Sequence, residues 1–393
     1  MKWLKLVSPL YLLIIVALFI YSFTQVDLSL TLSRVSVYQF VEKYLQNIGF
    51  FQRLLSTGIY IVILVLLTSF YLFFHQQILK KKINPKSIWK IIIFTTVVLV
   101  FSYNAFSYDL FNYIFDAKIL THYHLLPYFY SALNFPKDPM LSFMRWTHRT
   151  FPYGPSWLVL TAPLSFIGMN YFLPTFFLFK MLMGLSFLGS CYLIYKISER
   201  LFPENKLLNL TFFALNPLVL IESLVSAHND ISMIFFFLLS IYLFLEKKKI
   251  LSFVSNIFSI GIKFSTGVIF PLCLILEFMD RKNKKVNWEL FFIGSFLLSL
   301  LTVILATFRT TFQPWYLVFP LSMAAFVPKK FYIFIPSVIA TIFALSVYIP
   351  YVYMTDYAKE YPAFVNYIEI AGFLAILLFT VLYCFRLKLS PKH

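Results

Sequence analysis

Charge is scarce in this sequence. Only 12% of its 393 residues are Asp, Glu, Lys or Arg, and the acids number 16 against 33 basic residues. Soluble domains carry about 25% charged residues. With 60% hydrophobic residues and a mean hydropathy of +0.81, the chain has more apolar surface than one soluble core can hide. Glycine is scarce too, at 10 residues. Neither G-x-G-x-x-G nor G-x-x-x-x-G-K-[ST] occurs, so the sequence offers no glycine-rich cradle for a nucleotide phosphate. H-E-x-x-H and paired C-x-x-C are also missing. The three cysteines, Cys191, Cys273 and Cys384, each fall inside an apolar run. Thiols packed among helices are expected there, and no disulfide framework.

What remains is long apolar runs. Those near 7–25, 54–77, 88–107, 171–195, 207–224, 228–246, 288–308, 331–350 and 363–385 read as membrane spans, most approaching the ~20 residues a helical crossing needs. The first is read as a retained span because no small-residue cleavage site follows it. Segment 250–279 carries Gly261, Lys263, Gly267 and Pro271 and reads as a hairpin of two short or broken helices. Segment 315–327 is short and bounded by prolines, and 154–168 suits an interfacial or re-entrant helix. The expected fold is an all-α polytopic membrane protein, a bundle of about 12 transmembrane helices, some short or broken. No soluble domain, low-complexity tail or internal repeat is evident.

The basic excess follows from topology. Lys2/Lys5, Lys80–Lys82 with Lys86 and Lys90, Lys196/Arg200/Lys206, Lys247–Lys249, Arg281/Lys282/Lys284/Lys285, Lys329/Lys330 and Arg386/Lys388/Lys392 all fall on one side in this span order. The positive-inside rule makes that side cytoplasmic, with both termini inside and loops 26–53, 108–155, 225–227, 309–314 and 351–362 outside. It also accounts for the charge without nucleic acid as a partner. The expected location is the plasma (inner) membrane, multi-pass, with an extracytoplasmic active site.

Polar residues concentrate between Phe101 and Trp157. Asp109 and Asp116 lie seven residues apart, so a continuous helix puts them on one face. Asp109 is read as ending a span at the outer interface. A carboxylate there suits a general base taking a proton from a sugar hydroxyl, or caps a helix after a break. Asn112 lies between the two acids. Arg145, His148 and Arg149 form an outer cationic cluster that can receive a phosphate leaving group or anchor the loop at the interface. Arg309 sits at the outer end of another span. Lys180, within a span, needs a partner or a path to the interface. Lys263 can pair with Glu277 or reach a lipid head group. His228, Asn229 and Asp230 open a span from outside. Three adjacent residues diverge around a helix, which speaks against a metal site and leaves substrate contact or a dipole-favoured helix start. Tyr153, Trp157, Trp315 and Tyr316 can stack on sugar rings, and Gln313 stands beside them.

The motifs Y-D-x-x-x-Y-x-x-D-A-K, H-L-L-P-Y and Y-G-P-S-W occur in order, followed by NPLVLIESLVSAHND, IKFSTGVIFPL and QPWYLVFPL. Over about residues 88–327 this series resembles the GT-C glycosyltransferases. The likeness is nearest to polyprenyl-phosphate-mannose-dependent mannosyltransferases of glycosyltransferase family 87, the group that includes the mycobacterial mannan-polymerising enzymes. The resemblance implies a GT-C-like bundle with a long first catalytic outer loop carrying interfacial helices. It divides the chain into N-terminal spans (1–87), a catalytic module (88–327, outer loop 108–155) and C-terminal spans (328–393). The implied reaction moves a sugar, mannose in the family, from a polyprenyl-phosphate donor to a glycan or glycolipid acceptor, with inversion, among membrane lipids and without a cofactor or metal.

Asp109 matches the family's catalytic base. Asp116 matches a second acid, for structural support, acceptor binding or catalysis. Arg145, His148, Arg149, Arg309 and Lys263 are the candidate donor-phosphate cations on their own chemistry. Asn112, Asp116, Tyr153, His228, Asn229, Asp230, Gln313 and Trp315 are the implied substrate contacts. The family commonly has Arg where this chain has Asn112, so another cation must take that part. A transporter or lipid flippase is the alternative, since broken helices and buried charges mark those too. It calls for related halves, which this sequence does not display. A noncatalytic membrane assembly subunit is a further alternative, and it would tolerate loss of Asp109.

Overall fold

The computed structural model describes residues 2–389, with side chains from 7 to 386. Lys392 of the last basic cluster lies outside the described residues, as do the side chains of Lys2, Lys5 and Lys388. Among the described residues there are helices and no strand. In chain order they are α1 (Lys2–Ser22), α2 (Ser36–Gln46), α3 (Arg53–Leu79), α4 (Pro85–Val100), α5 (Asp109–Thr121), α6 (Pro155–Ile167), α7 (Phe172–Leu201) and α8 (Lys206–Ala214). Then come α9 (Pro217–Leu220), α10 (Asp230–Leu245), α11 (Lys249–Ile262), α12 (Phe270–Arg281), α13 (Trp288–Arg309), α14 (Val318–Ala324), α15 (Phe331–Ser346), α16 (Tyr348–Met354) and α17 (Tyr361–Leu389).

Among the described residues, six helices or helix pairs are long and apolar enough to cross a membrane: α1, α3, α7, α13, α15 with α16, and α17. The bent unit Pro203–Ala214 plus Pro217–Val225 makes a seventh if taken as one span. The expected count of about 12 is not reached on length and composition. The runs 88–107 and 228–246 supply helices of only 16 residues each, α4 and α10. The first stops at Val100 because its polar residues bind nearby backbone instead of continuing the helix. Ser102 Oγ donates to Leu99 O (2.6 Å) and Asn104 Nδ2 to Ser107 O (2.7 Å). The hairpin expected at 250–279 is present as α11, a 3₁₀ turn at Phe264–Ile269, and α12. Of the thiols, Cys191 is buried, but Cys384 is exposed on α17 instead of packed among helices.

The middle of the chain forms the core. Every residue from Leu208 to Ile234 is buried, the apolar ones among neighbouring helices and with them polar ones such as Asn216, Glu222, His228 and Asp230. Its 56° bend is written in the sequence. Pro217 cannot donate a backbone hydrogen bond, and Asn216 caps the restart, its Oδ1 accepting from the Leu218 and Val219 amides at 2.9 and 3.3 Å. Around this segment α7 packs on α4, α8 and α10, and α10 packs on α11.

The short α6 is drawn onto α11 by two glycines. A Cβ at Gly154 would lie 2.3 Å from Gly261 O, and one at Gly261 would lie 2.3 Å from Ser156 Oγ. Gly154 meets the backbone of Gly261, and Gly261 the side chain of Ser156, so the tighter constraint is at Gly154. Gly154→Ala should destabilise the protein by about 1–3 kcal/mol, lowering the thermal midpoint in detergent. Gly58→Ala is the control, since nothing lies within 4 Å of a Cβ there. Equal midpoints for the two variants would show that the α6–α11 approach is not tight.

Candidate active site

Asp109 is the first residue of α5, not the last of a span: the loop 101–108 separates it from α4. The start of a helix favours a carboxylate electrostatically. The Asp109 amide donates to Ser107 Oγ (3.1 Å). Spacings of three and seven put Asn112 and Asp116 on the same face of α5. All three line a cavity of about 70 Å³, with Arg149 and Tyr153 on its other walls. Burial pushes the Asp109 carboxyl above the usual carboxylate range. His228, Lys263 and Arg149 oppose that, while Asp230 adds to it. Asp116 is held well above that range, by burial and then by the charge of Asp109. The environments thus separate the two acids: the one beside cations suits an ionised base, the one without them a neutral donor.

A second group of residues comes from the break between α9 and α10. Here the helix loosens into a π turn, Ile221–Val225, and then reverses at Ala227, whose φ of 59° is uncommon for a residue with a side chain. Lys180 of α7 holds this break. Its ammonium donates to the carbonyls of Leu224 and Val225, the latter at 2.9 Å, and to Ser102 Oγ at 3.1 Å. The sequence left Lys180 a choice between a partner and a path to the interface; the structure gives it three acceptors for its three N–H groups. The reversal swings His228 back toward Glu222, with Nδ1 3.0 Å from Glu222 Oε2. Glu222 Oε1 accepts from Tyr348 OH (2.8 Å). The other ring nitrogen, Nε2, lies 3.0 Å from Ser107 Oγ and 3.8 Å from Asp109 Oδ2. The imidazole stacks on Trp315, centroids 4.0 Å apart.

The third contribution is from the end of α11. Lys263 Nζ donates to both oxygens of Asp230, at 2.9 and 2.8 Å, and lies over the Tyr316 ring at 5.6 Å. Of the two partners open to Lys263 in the sequence, Glu277 is not the one it meets, being engaged by Lys249 and Arg281. Asp230 opens α10, as a helix-start residue should, and is also an ion-pair partner. Gly154 N–H donates to Ile262 O (3.4 Å), which ties the Tyr153 loop to the same corner.

Most of the sequence candidates therefore converge. Asp109, Asn112, Asp116, Arg149 and Tyr153 share the cavity; His228, Asp230, Lys263 and Trp315 are linked by the contacts above. Asn229 is fully buried with neither polar side-chain atom partnered. Arg145 is engaged elsewhere: it pairs with Asp356 and lies over the rings of Tyr108 and Tyr357, at 4.3 and 5.1 Å. It clasps the first polar loop to the one before α17. Arg149 covers Trp146 (4.5 Å), and His148 is exposed in the same loop. Arg309 is exposed at the end of α13, and Gln313 donates to Thr311 Oγ1 (3.0 Å). Sequence reasoning missed the parts played by Glu222, Ser107 and Tyr348. A spacing of six does not bring Glu222 and His228 together on a regular helix; the available signal was an acid inside an apolar run.

Residues 11–278 match the family described as alpha-(1->6)-mannopyranosyltransferase, N-terminal domain. The chain belongs to this mannosyltransferase family. The match runs from α1 into α12 and takes in Asp109, Asp116, Glu222, His228, Asp230 and Lys263; Trp315 and Tyr348 lie beyond it. No curated protein and no solved structure matches the chain. A mannosyltransferase family domain carried on apolar helices makes this a membrane glycosyltransferase, working with a sugar donor and an acceptor.

Removing one partner of the half-buried Lys263–Asp230 pair strands the other charge. Lys263→Met should cost on the order of 3 kcal/mol, and the double variant Lys263→Met/Asp230→Asn less than that single change. Thermal unfolding of the three proteins in one detergent checks the order. A double variant less stable than Lys263→Met would show that the pair is not coupled.

Proposed function

We propose that the protein transfers mannose from a polyprenyl-phosphate donor to an acceptor hydroxyl at the extracytoplasmic face, with inversion at the anomeric carbon. The observation that carries the reading is Asp109, a partly exposed carboxylate at a cavity wall with His228, Lys263 and Arg149 around it. In the reaction the acceptor oxygen bonds to the anomeric carbon as the bond to the donor phosphate oxygen breaks. Asp109 takes the acceptor proton, and the polyprenyl phosphate departs with the bonding electrons. One base and a cation-held leaving group are what inversion needs.

The remaining roles follow from position. Lys263 and Arg149 are the phosphate cations nearest the base, with Arg309 and His148 at the approach; Arg145 closes the loops over the site through Asp356. Asp116, kept neutral, donates to a sugar hydroxyl beside Asn112. Tyr153 and Trp315 offer ring faces to the sugar, and Asn229 and Gln313 offer amides. The lipid tail enters beside the α11–α12 hairpin, where Phe264 is 65% exposed next to Lys263. The placing of the basic clusters supports the reading that this corner lies on the side away from the cytoplasm.

Asp109→Asn keeps the shape of the side chain and removes its basicity. Reconstituted Asp109→Asn should insert normally and lose transfer by about 10²-fold or more, whereas Asp116→Asn should lose less. Because the Asp109 carboxyl is raised, transfer by the wild type should fall as pH drops through a value above the ordinary aspartate pKa of about 3.9. Near-normal turnover by Asp109→Asn in purified protein would assign the base elsewhere.

A further inference from the structure

Beside Asp109, outside the residues that line the cavity, stands the pair Glu222–His228, which the transfer chemistry itself does not use. Glu222 is fully buried and His228 is 1% exposed, so neither group is placed there for solvent. Each ring nitrogen of His228 faces a carboxylate: Nδ1 is 3.0 Å from Glu222 Oε2, and Nε2 is 3.8 Å from Asp109 Oδ2. Two carboxylates flanking one imidazole put negative charge at both of its nitrogens. Ser107 adds a polar partner on the Asp109 side. Its Oγ already accepts from the Asp109 amide, and it can accept Nε2–H at 3.0 Å through its second lone pair. Tyr348 supplies the other oxygen of Glu222 with a donor, while Oε2 and Nδ1 face each other at ion-pair distance and have no hydrogen-bond partner besides. The stack on Trp315 fixes the ring plane and places an aromatic face against the cation.

We propose that Glu222 and His228 are a positioning pair. Glu222 holds His228 as an imidazolium against Asp109, and that charge keeps the base ionised when bound sugar and lipid shut water out of the site. This rests on the transferase reading above and adds two residues to it. Closing a site strengthens every charge interaction inside it and penalises an isolated carboxylate. Other charges also face Asp109. Lys263 is shared with both oxygens of Asp230, and Arg149 lies over Trp146 at the exposed wall; Asp230 and Asp116 are acids and oppose ionisation. Tyr113 and Tyr153 adjoin the site as neutral hydroxyls. His228 is thus the cation nearest Asp109 whose charge depends on another buried residue.

The test is the pH profile of transfer from polyprenyl-phosphate mannose by reconstituted wild type, Glu222→Gln and His228→Gln. Loss of the neighbouring positive charge raises the pKa of Asp109, so the acidic limb should move to higher pH in both variants, with activity partly recovered at alkaline pH. A structural role alone would lower the rate at every pH and leave the limb in place, which would overturn the proposal. Wild type that transfers nothing would sink the transferase reading and this inference with it; wild-type transfer with unmoved limbs sinks only the inference.

Discussion

The site depends on one buried ammonium. Lys180 lies inside an apolar helix, and a charge there is costly unless every N–H finds an acceptor. The acceptors it finds are the carbonyls of Leu224 and Val225, freed because the helix after Pro217 loosens into a π turn, and Ser102 Oγ at the end of α4. The arrangement is reciprocal. Without the break Lys180 would lack acceptors, and without Lys180 the carbonyls of the break would be buried and unpaired. That contact fixes both ends of the site at once. On one side it sets the loop leading to Ser107 and Asp109, on the other the reversal through Ala227 to His228 and Asp230.

Charge is then distributed so that two acids on one helix face differ. Asp109 stands within reach of His228, Lys263 and Arg149; Asp116, two turns further along α5, meets burial and the charge of its neighbour. The same residue type can thereby serve as acceptor at one position and donor at the other. Aromatic rings set the frame, Tyr113 against Tyr153 and Trp157 with edge contacts at 5.3 and 5.4 Å, and Trp315 against His228. Large rings suit this task because they fix position with few rotatable bonds.

Much of this was legible in the sequence, and the rest was hidden for physical reasons. The all-helical class follows from apolar runs too long for a soluble core, and the hairpin at 250–279 from a length between one span and two. The face shared by Asp109, Asn112 and Asp116 follows from helical spacing. Span number was not legible, because hydropathy does not register where Ser102 and Asn104 end a helix early or where Asn216–Pro217 bends one. The pairing of Lys263 with Asp230 instead of Glu277 depends on how α10 and α11 pack, a tertiary fact with no local signature. Arg145 reads as a phosphate ligand in a loop of basic and aromatic residues, until Asp356, more than two hundred residues on, is brought beside it.

The account stands or falls on its donor. One phosphate on a long apolar tail can be held by a few cations beside the α11–α12 hairpin, whereas a nucleotide diphosphate would call for a metal or a glycine-rich cradle. The most direct measurement offers reconstituted protein, in separate arms, labelled polyprenyl-phosphate mannose and the corresponding nucleotide sugar, each with and without chelator. The account predicts transfer from the lipid donor, undiminished by chelator, and none from the nucleotide sugar. Transfer from the nucleotide sugar alone, or complete loss with chelator, would contradict it.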